Sequence, residues 1–334
     1  MTHVMVTGGT GFVGHSVVLD LLEWTDWTLT IVDSNRHSVI PGKLTDDPRW
    51  DDSRVNMHSH NLVDPLRTIQ LFPKPDMIFN IASNSHVDNS MVEPAPFIKE
   101  NVALVVNMLE YASEVRPRLF IQFSTDEVYG AAPEGVNFKE WSTILPSNPY
   151  SASKAAQEAV AISYWRTFGV PLIITNTMNV IGPNQHPEKF VPKTVQHLLE
   201  GRPMPVHAQF VEDDGIPGGG VWQAGSRHYT YVSNISSALQ FLSKITPAIY
   251  GTHGVDRPDR YNVVGDREVK NDLMVDMIAD VLGVPSLKEY VDFHGTRPGH
   301  DRRYALDGSK LTELGWTPPY SFEEGLRRSV EGNS

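Results

Sequence analysis

Along the first half of the chain, short runs of β-branched and other apolar residues alternate with longer stretches whose apolar positions recur every three to four residues. That alternation predicts strand–helix–strand units joined in parallel, hence an α/β fold with a doubly wound sheet. Strands are predicted at His3–Thr7, Leu29–Asp33, Val55–His58, Met77–Asn80, Leu119–Ser124 and Leu172–Thr175. Helices are predicted at Phe12–Glu23, Pro65–Leu71, Pro94–Glu114 and Ser151–Phe168. After residue 176 the rhythm breaks, with Pro183, Pro187, Pro192, Pro203, Pro205 and Pro217 punctuating irregular segments. Helices return at Val191–Glu200, Ser233–Ile245, Asn271–Leu282, Ser309–Leu314 and Phe322–Ser329, with a strand at Tyr261–Val264. The stretch from His207 to Ser226 has neither period and is either a surface insertion or a lid over a ligand.

The turn after the first strand reads Thr7-Gly8-Gly9-Thr10-Gly11-Phe12-Val13-Gly14 and opens directly into the first helix. Glycines at 8, 11 and 14 permit a tight turn and a close backbone approach to a pyrophosphate, which the helix N-terminus around Phe12 and Val13 then receives. This context makes the sheet Rossmann-type and the ligand a dinucleotide. Asp33 ends the second strand nineteen positions after Gly14 and can accept both ribose hydroxyls of NAD. A 2′-phosphate would be repelled there, although Arg36 stands close by and keeps NADP open.

Two further patterns carry chemistry. Tyr150-Ser151-Ala152-Ser153-Lys154 puts a phenol and an ammonium on one face of a helix, so that the cation can stabilise a phenolate taking a proton from an alcohol. Phe123-Ser124-Thr125-Asp126-Glu127 runs from an apolar strand into adjacent acids at the carboxyl end, where open parallel sheets place their ligand crevice. Two carboxyl groups in unlike environments can divide the work of acid and base.

Length and composition narrow the class. At 334 residues the chain exceeds one ordinary core, so two lobes are expected. Residues 1–176 form the dinucleotide-binding domain, with 228–248 returning to it. Residues 177–227 and 249–334 form a smaller, mixed α/β C-terminal substrate lobe. Forty acidic against 28 basic residues leave a net charge of −12, which disfavours nucleic acid and anionic membranes as partners. The absence of cysteine removes disulfides, thiolate nucleophiles and Cys-type zinc sites, and suits a reducing compartment. His58 and His60 share a strand face without a third ligand, so no metal is expected. With neither a basic leader nor a long apolar span at the N-terminus, a cytoplasmic protein is expected.

The segments Thr7–Gly14, Ser85-His86-Val87-Asp88, Ser124–Gly130, Tyr150–Lys154, Gly182-Pro183 with Pro187-Glu188-Lys189, Arg227–Val232 and Arg297–Ala305 together resemble the extended short-chain dehydrogenase/reductases. Within that superfamily the chain is most similar to nucleotide-sugar 4,6-dehydratases of the dTDP-glucose type. The resemblance implies bound NAD, with Asn61, Leu62 and Ala82 joining the glycine turn, Asp33, Tyr150 and Lys154 in holding it. It implies that Tyr150, aided by Lys154 and Thr125, draws the C4 hydroxyl proton while C4 is oxidised. Glu127 then takes the C5 proton as Asp126 protonates the departing C6 hydroxyl. Substrate contacts implied for the nucleotide-diphosphate sugar are His86, Asn179, Lys189, Arg227, Asn262, Arg297 and His300. The relatives pair as homodimers through two helices, here Ala95–Glu114 and Ser151–Phe168.

Departures from the pattern fall on the substrate side. Asn176 stands where the resembled enzymes carry Arg, Asn84 where they carry Glu, Asn89 where they carry Arg, and Asn61 where they carry Asp. Val180 and Ile181 replace a polar and an aromatic residue. The sugar and base therefore stay open. A 4-epimerase or decarboxylase of the same superfamily would not need Asp126 as an acid. A non-catalytic NAD or nucleotide-sugar binding module would be expected to lack Tyr150, Lys154 or Glu127, all of which are present.

Overall fold

Strand β1 (His3–Thr7) is buried along its whole length, as a central strand covered on both faces must be. It is followed by α1 (Phe12–Trp24), β2 (Thr28–Asp33), β3 (Val55–Ser59), β4 (Met77–Asn80), α2 (Val87–Val92), α3 (Pro94–Val115) and β5 (Leu119–Thr125). Next come α4 (Pro149–Phe168), β6 (Leu172–Thr177), β7 (Asn179–Ile181), α5 (Phe190–Leu199), β8 (Met204–Glu212), β9 (Gly220–Ala224), β10 (Ser226–Tyr231) and α6 (Val232–Leu242). Further on lie β11 (Asp259–Val263), β12 (Glu268–Lys270), α7 (Asn271–Leu282), β13 (Lys288–Asp292), α8 (Ser309–Glu313) and α9 (Phe322–Glu331). This computed structural model describes residues 1–36, 44–66, 73–212, 219–252, 254–292 and 301–334.

Among the described residues, seven strands form one parallel sheet in the order β11-β6-β5-β4-β1-β2-β3. Val4 lies opposite Leu29 of β2 on one side and Met77 of β4 on the other. The order reverses beside β1, so a crevice opens at the carboxyl ends of β1 and β4. Two cores flank the sheet. Val17, Val18 and Leu21 of α1 meet Ile235, Leu239 and Leu242 of α6 on one face. Leu104, Val105 and Met108 of α3 meet Trp165 of α4 on the other. Each such fully buried side chain contributes roughly 1.5–3 kcal/mol by leaving water.

The smaller lobe has its own core, in which Val191 and Val195 of α5 pack with Met274 and Ile278 of α7 and Leu326 of α9. Two three-stranded sheets support it, ordered β12-β10-β7 and β13-β8-β9.

Two departures from the sequence expectation bear on the architecture of the sheets. Residues 259–263, expected in the smaller lobe, form β11 and complete the main sheet, pairing from Asp259↔Ile173 to Val263↔Thr177. Leu311 of α8 and Trp316 follow it into the core beneath α1. An uncovered β6 would otherwise present an open parallel edge. The second departure is the stretch 207–226. Met204–Glu212 and Gly220–Ala224 pair antiparallel, from Ala208↔Ala224 to Glu212↔Gly220, while 213–218 lie outside the described residues. Met204, Val206 and Ala208 are buried in strict alternation, but Pro205 within the run argues against a strand and the apolar pair Phe210 and Val211 breaks the period. The helix expected at Pro65–Leu71 runs largely into 67–72, outside the described residues.

Candidate active site

The first turn after β1 shows why its glycines are needed. Gly8 has φ +71° and packs so tightly that a Cβ there would lie 2.9 Å from Ala82 Cα. A Cβ on Gly14 would lie 2.0 Å from the Gly8 carbonyl oxygen. Thr7 locks the neighbouring strand: its hydroxyl donates to Asn80 Oδ1 at 2.8 Å and accepts from the Ile81 and Ala82 amides. Helix α1 begins after Gly11 with no side-chain cap, which leaves its first amides to an anion. Asp33 accepts from the Thr10 amide at 3.1 Å and the Asn35 amide at 2.9 Å, so it holds the turn while facing the crevice. This cradle, uncapped helix and acid fit an adenine dinucleotide. Gly8, Gly11, Phe12, Val13, Gly14, Asp33, Asn61, Leu62 and Ala82 all border one cleft of about 1220 Å³. That exceeds the roughly 300–1,000 Å³ of a site for one small molecule, as two adjacent ligands require.

The other half of the cleft is built by the end of β5 and the start of α4. Asn148 caps α4, its Oδ1 accepting from the Ser151 amide at 2.9 Å, and Pro149 follows at the first helical position. Tyr150 and Lys154 then stand one turn apart, and the ring of Phe97 meets Tyr150 edge-on with centroids 6.4 Å apart. Thr125 lies beside the Tyr150 hydroxyl and favours its ionised form. Lys154 Nζ donates to the Phe123 carbonyl and Gln157 Oε1, both at 2.7 Å, which fixes the cation one helical turn from Tyr150.

Past Thr125 the chain turns into a 3-10 helix, Asp126–Tyr129, which brings both acids to the cleft. Thr125 donates to Asp126 Oδ1 at 2.9 Å, while Asp126 Oδ2 is buried without a partner. Glu127 Oε2 accepts from Asn148 Nδ2 at 3.2 Å. Burial and the neighbouring Glu127 push Asp126 up to about 7, and burial raises Glu127 as well. Burial lowers Lys154 to about 8, against the pull of Glu158. Burial raises the Tyr150 phenol, and the charges of Glu127 and Asp126 raise it further. A protonated Asp126 therefore eases ionisation of Tyr150, and coupling of this kind suits a site that moves protons in sequence.

On the substrate side, His86, Asn179 and Lys189 line the same cleft. Asn179 Nδ2 is buried without a partner, and Lys189 Nζ donates to the Ser85 carbonyl at 3.4 Å. His86 caps α2 and binds Glu188 through Nε2, joining the two walls. Arg227 and Asn262 are placed differently. The Arg227 guanidinium stacks 4.5 Å over the Tyr304 ring and donates to the carbonyls of Ser226, Asp301 and Arg302. Its charge still acts on Asp126 and Glu127. Asn262 is fully buried and donates to the Phe138 and Asp307 carbonyls, so it pins the lobe instead of meeting a ligand in the cleft. Arg297 and His300 lie outside the described residues.

Sequence reasoning missed Asn148 as a site residue. Its position before Pro149 announced a helix start, but nothing in one dimension shows its amide reaching Glu127. It also missed Glu158 and Arg260, whose ion pair spans two distant segments at 2.7 Å.

Residues 4–242 match the model of the NAD dependent epimerase/dehydratase family. The chain is 34% identical over 354 residues to the dTDP-glucose 4,6-dehydratase of Salmonella typhimurium, covering 98% of this chain and 91% of that protein. It is 34% identical over 331 residues to a low-salt glycan biosynthesis protein of Haloferax volcanii, covering 98% and 97%. Among solved structures, the dTDP-glucose 4,6-dehydratase of Streptomyces venezuelae with NAD bound is similar at a TM-score of 0.81 and 30% identity, covering 99% of this chain and 96% of that one.

Proposed function

Since the chain belongs to the NAD dependent epimerase/dehydratase family, we propose that it is an NAD-dependent nucleotide-sugar 4,6-dehydratase, a hydro-lyase for dTDP-glucose or UDP-glucose. The observation that carries this is the pair of acids at the end of β5, buried Asp126 that titrates near neutrality and half-buried Glu127, beside Tyr150 in a cleft that also holds the glycine turn. When bound, NAD supplies reversible oxidation, accepting hydride from C4 of the sugar and returning it at C6.

The protein's own groups handle the protons. Tyr150, oriented by Thr125 and supported by the Lys154 cation, takes the C4 hydroxyl proton. A ketone at C4 makes the C5 hydrogen acidic. Glu127, steadied by Asn148, removes that proton, and Asp126 in its protonated form delivers one to the departing C6 hydroxyl as water. His86, Asn179 and Lys189 are the substrate contacts, together with Arg297 and His300. Asn179 brings an open donor, whereas Arg227, stacked on Tyr304, acts by charge on Asp126 and Glu127.

Two copies pair through α3 and α4, where Val102, Val106 and Val160 remain only half-buried in the single chain. We assign the enzyme to the cytoplasm, where nucleotide sugars and NAD are held in common. Light scattering in solution tests the pairing.

The reaction is tested by incubation with dTDP-glucose and UDP-glucose followed by mass spectrometry. Loss of one water from at least one sugar is expected. If both return unchanged while another donor is epimerised or decarboxylated, the dehydratase assignment falls.

A further inference from the structure

Beneath the active site lies an ion pair that the proton transfers do not use. Glu158 Oε2 and Arg260 Nη2 are 2.7 Å apart, and both side chains are fully shielded from water. Such pairs stabilise a fold no better than apolar residues of similar size, so this one calls for another explanation.

Its connections supply it. Tyr150, Lys154 and Glu158 follow one another at four-residue intervals along a single face of α4. Glu158 Oε1 accepts from the Ser124 hydroxyl at 2.5 Å and from Asn176 Nδ2 at 2.7 Å. Asn176 Nδ2 also donates to the Thr125 carbonyl at 3.0 Å. Arg260 Nη1 reaches the Tyr129 hydroxyl at 3.2 Å and the Glu140 carbonyl at 3.1 Å, tying down the turn that carries Asp126 and Glu127. The Trp141 ring covers the guanidinium at 4.4 Å. One carboxylate thus fastens the helix of Tyr150 and Lys154 to the strand end of Thr125. Its cation fastens the twin acids to the same point.

Position 176 on β6, beside this pair, holds Asn176. Its side chain meets Glu158, the Thr125 carbonyl and, at 3.5 Å, the Tyr129 hydroxyl, so a guanidinium there would find the partners that Arg260 and Asn176 now share. Asn262 of β11 lies opposite Asn176 in the sheet, and Arg260 two residues earlier projects from the same face.

We propose that Glu158 and Arg260 are a buried positioning pair for the Tyr150, Lys154 and Thr125 site, with the cation supplied across the sheet from β11. The proposal rests on the assignment of Tyr150 and Lys154 as proton-handling groups. Glu158 acts directly on the Lys154 amine from its own helix, Arg260 of β11 is paired with Glu158, and Asp126 and Glu127 at the end of β5 act on Tyr150 one turn away.

The test has one arm that does not depend on the reaction. In free protein labelled at lysine, NMR follows titration of the Lys154 amine, with a midpoint of about 8 expected in the wild type. Glu158→Gln removes the charge that favours the ammonium, so the midpoint is expected to fall. An unchanged midpoint in folded Glu158→Gln overturns the proposal. The second arm measures C4 oxidation in a single turnover. Arg260→Thr is expected to slow it on the order of 100-fold through misplaced groups. Asn176→Arg added to Arg260→Thr is expected to restore most of the rate; a double variant no faster than the single one also overturns the proposal. Should Arg260→Thr fail to fold, recovery of a folded double variant is the supporting result and continued failure the opposing one. If the wild type dehydrates no nucleotide sugar, the function assigned above fails, and the Lys154 titration still decides the pair.

Discussion

The Thr125 hydroxyl donates to Asp126 Oδ1 at 2.9 Å, while the other oxygen of that carboxyl is buried with no partner at all. One oxygen is thereby oriented and the other is left for a proton and for the substrate. Because Asp126 titrates at about 7, its acid form is plentiful at neutral pH and scarce above it. The elimination step is therefore expected to slow as pH rises through 7, with C4 oxidation less affected, as resolved by rapid-quench analysis of the keto sugars. Asp126→Asn should still form the 4-keto species yet eliminate about 100-fold or more slowly. Equal loss of both steps would contradict the acid assignment.

The same titration bears on stability. The folded value lies above the 3.8 of an ordinary aspartate, so the favourable contribution is complete below that pH and is lost as pH rises through about 7. At pH 8 the free protein carries a buried charge that Asp126→Asn removes. Denaturant unfolding at pH 8 is expected to show the variant more stable by about 1–3 kcal/mol, with the difference shrinking or reversing at pH 5.

Gly14 and Gly8 approach so closely that a methyl group on the former would collide with backbone at 2.0 Å. Gly14→Ala must displace the turn, so added NAD should no longer raise the melting temperature. Gly11, where a Cβ would lie 3.4 Å from the Gly8 oxygen and φ is −78°, tolerates alanine sterically. Its variant should keep the melting temperature of the free protein and lose only part of the NAD response.

Asp33 and Arg36 share a wall of the cleft. Asp33→Ser removes the charge that opposes a 2′-phosphate and leaves the guanidinium. Calorimetric titration is expected to show the NAD to NADP affinity ratio falling at least about tenfold, equivalent to about 1.4 kcal/mol. An unchanged ratio would remove Asp33 from the ribose site.

Asn148 serves two neighbours at once, capping α4 and donating to Glu127 at 3.2 Å. Asn148→Ala should cost about 1 kcal/mol through the lost cap. It should also raise Glu127 further, because the bond it removes favours the carboxylate. The acidic limb of the rate profile for elimination is then expected at higher pH than in the wild type.

Most of the Rossmann half was legible because β1, β4 and β5 are continuous apolar runs bounded by glycine or polar residues, and the helices between them keep a helical period. The glycine turn, Asp33 and Tyr150 with Lys154 could be read because their chemistry depends on local spacing. The rest depends on distance. β11 is a five-residue strand whose place beside β6 is set by the open edge it covers, not by its own composition. Arg227 and Asn262 carry the right chemistry for a ligand, but the carbonyls that hold them come from residues 226, 301 and 302 in one case and 138 and 307 in the other. β8 hid because Pro205 interrupts its start and the apolar pair Phe210 and Val211 breaks its alternation.

That the seventh strand arrives so late in the chain has a consequence for biosynthesis. Until residue 263 has left the ribosome, β6 remains a bare parallel edge and Glu158 has no guanidinium to meet. A nascent chain paused before that point would be sticky and catalytically unassembled, a natural client for a chaperone. Limited proteolysis of stalled chains, released before or after residue 263, should show protection of α4 only in the longer product.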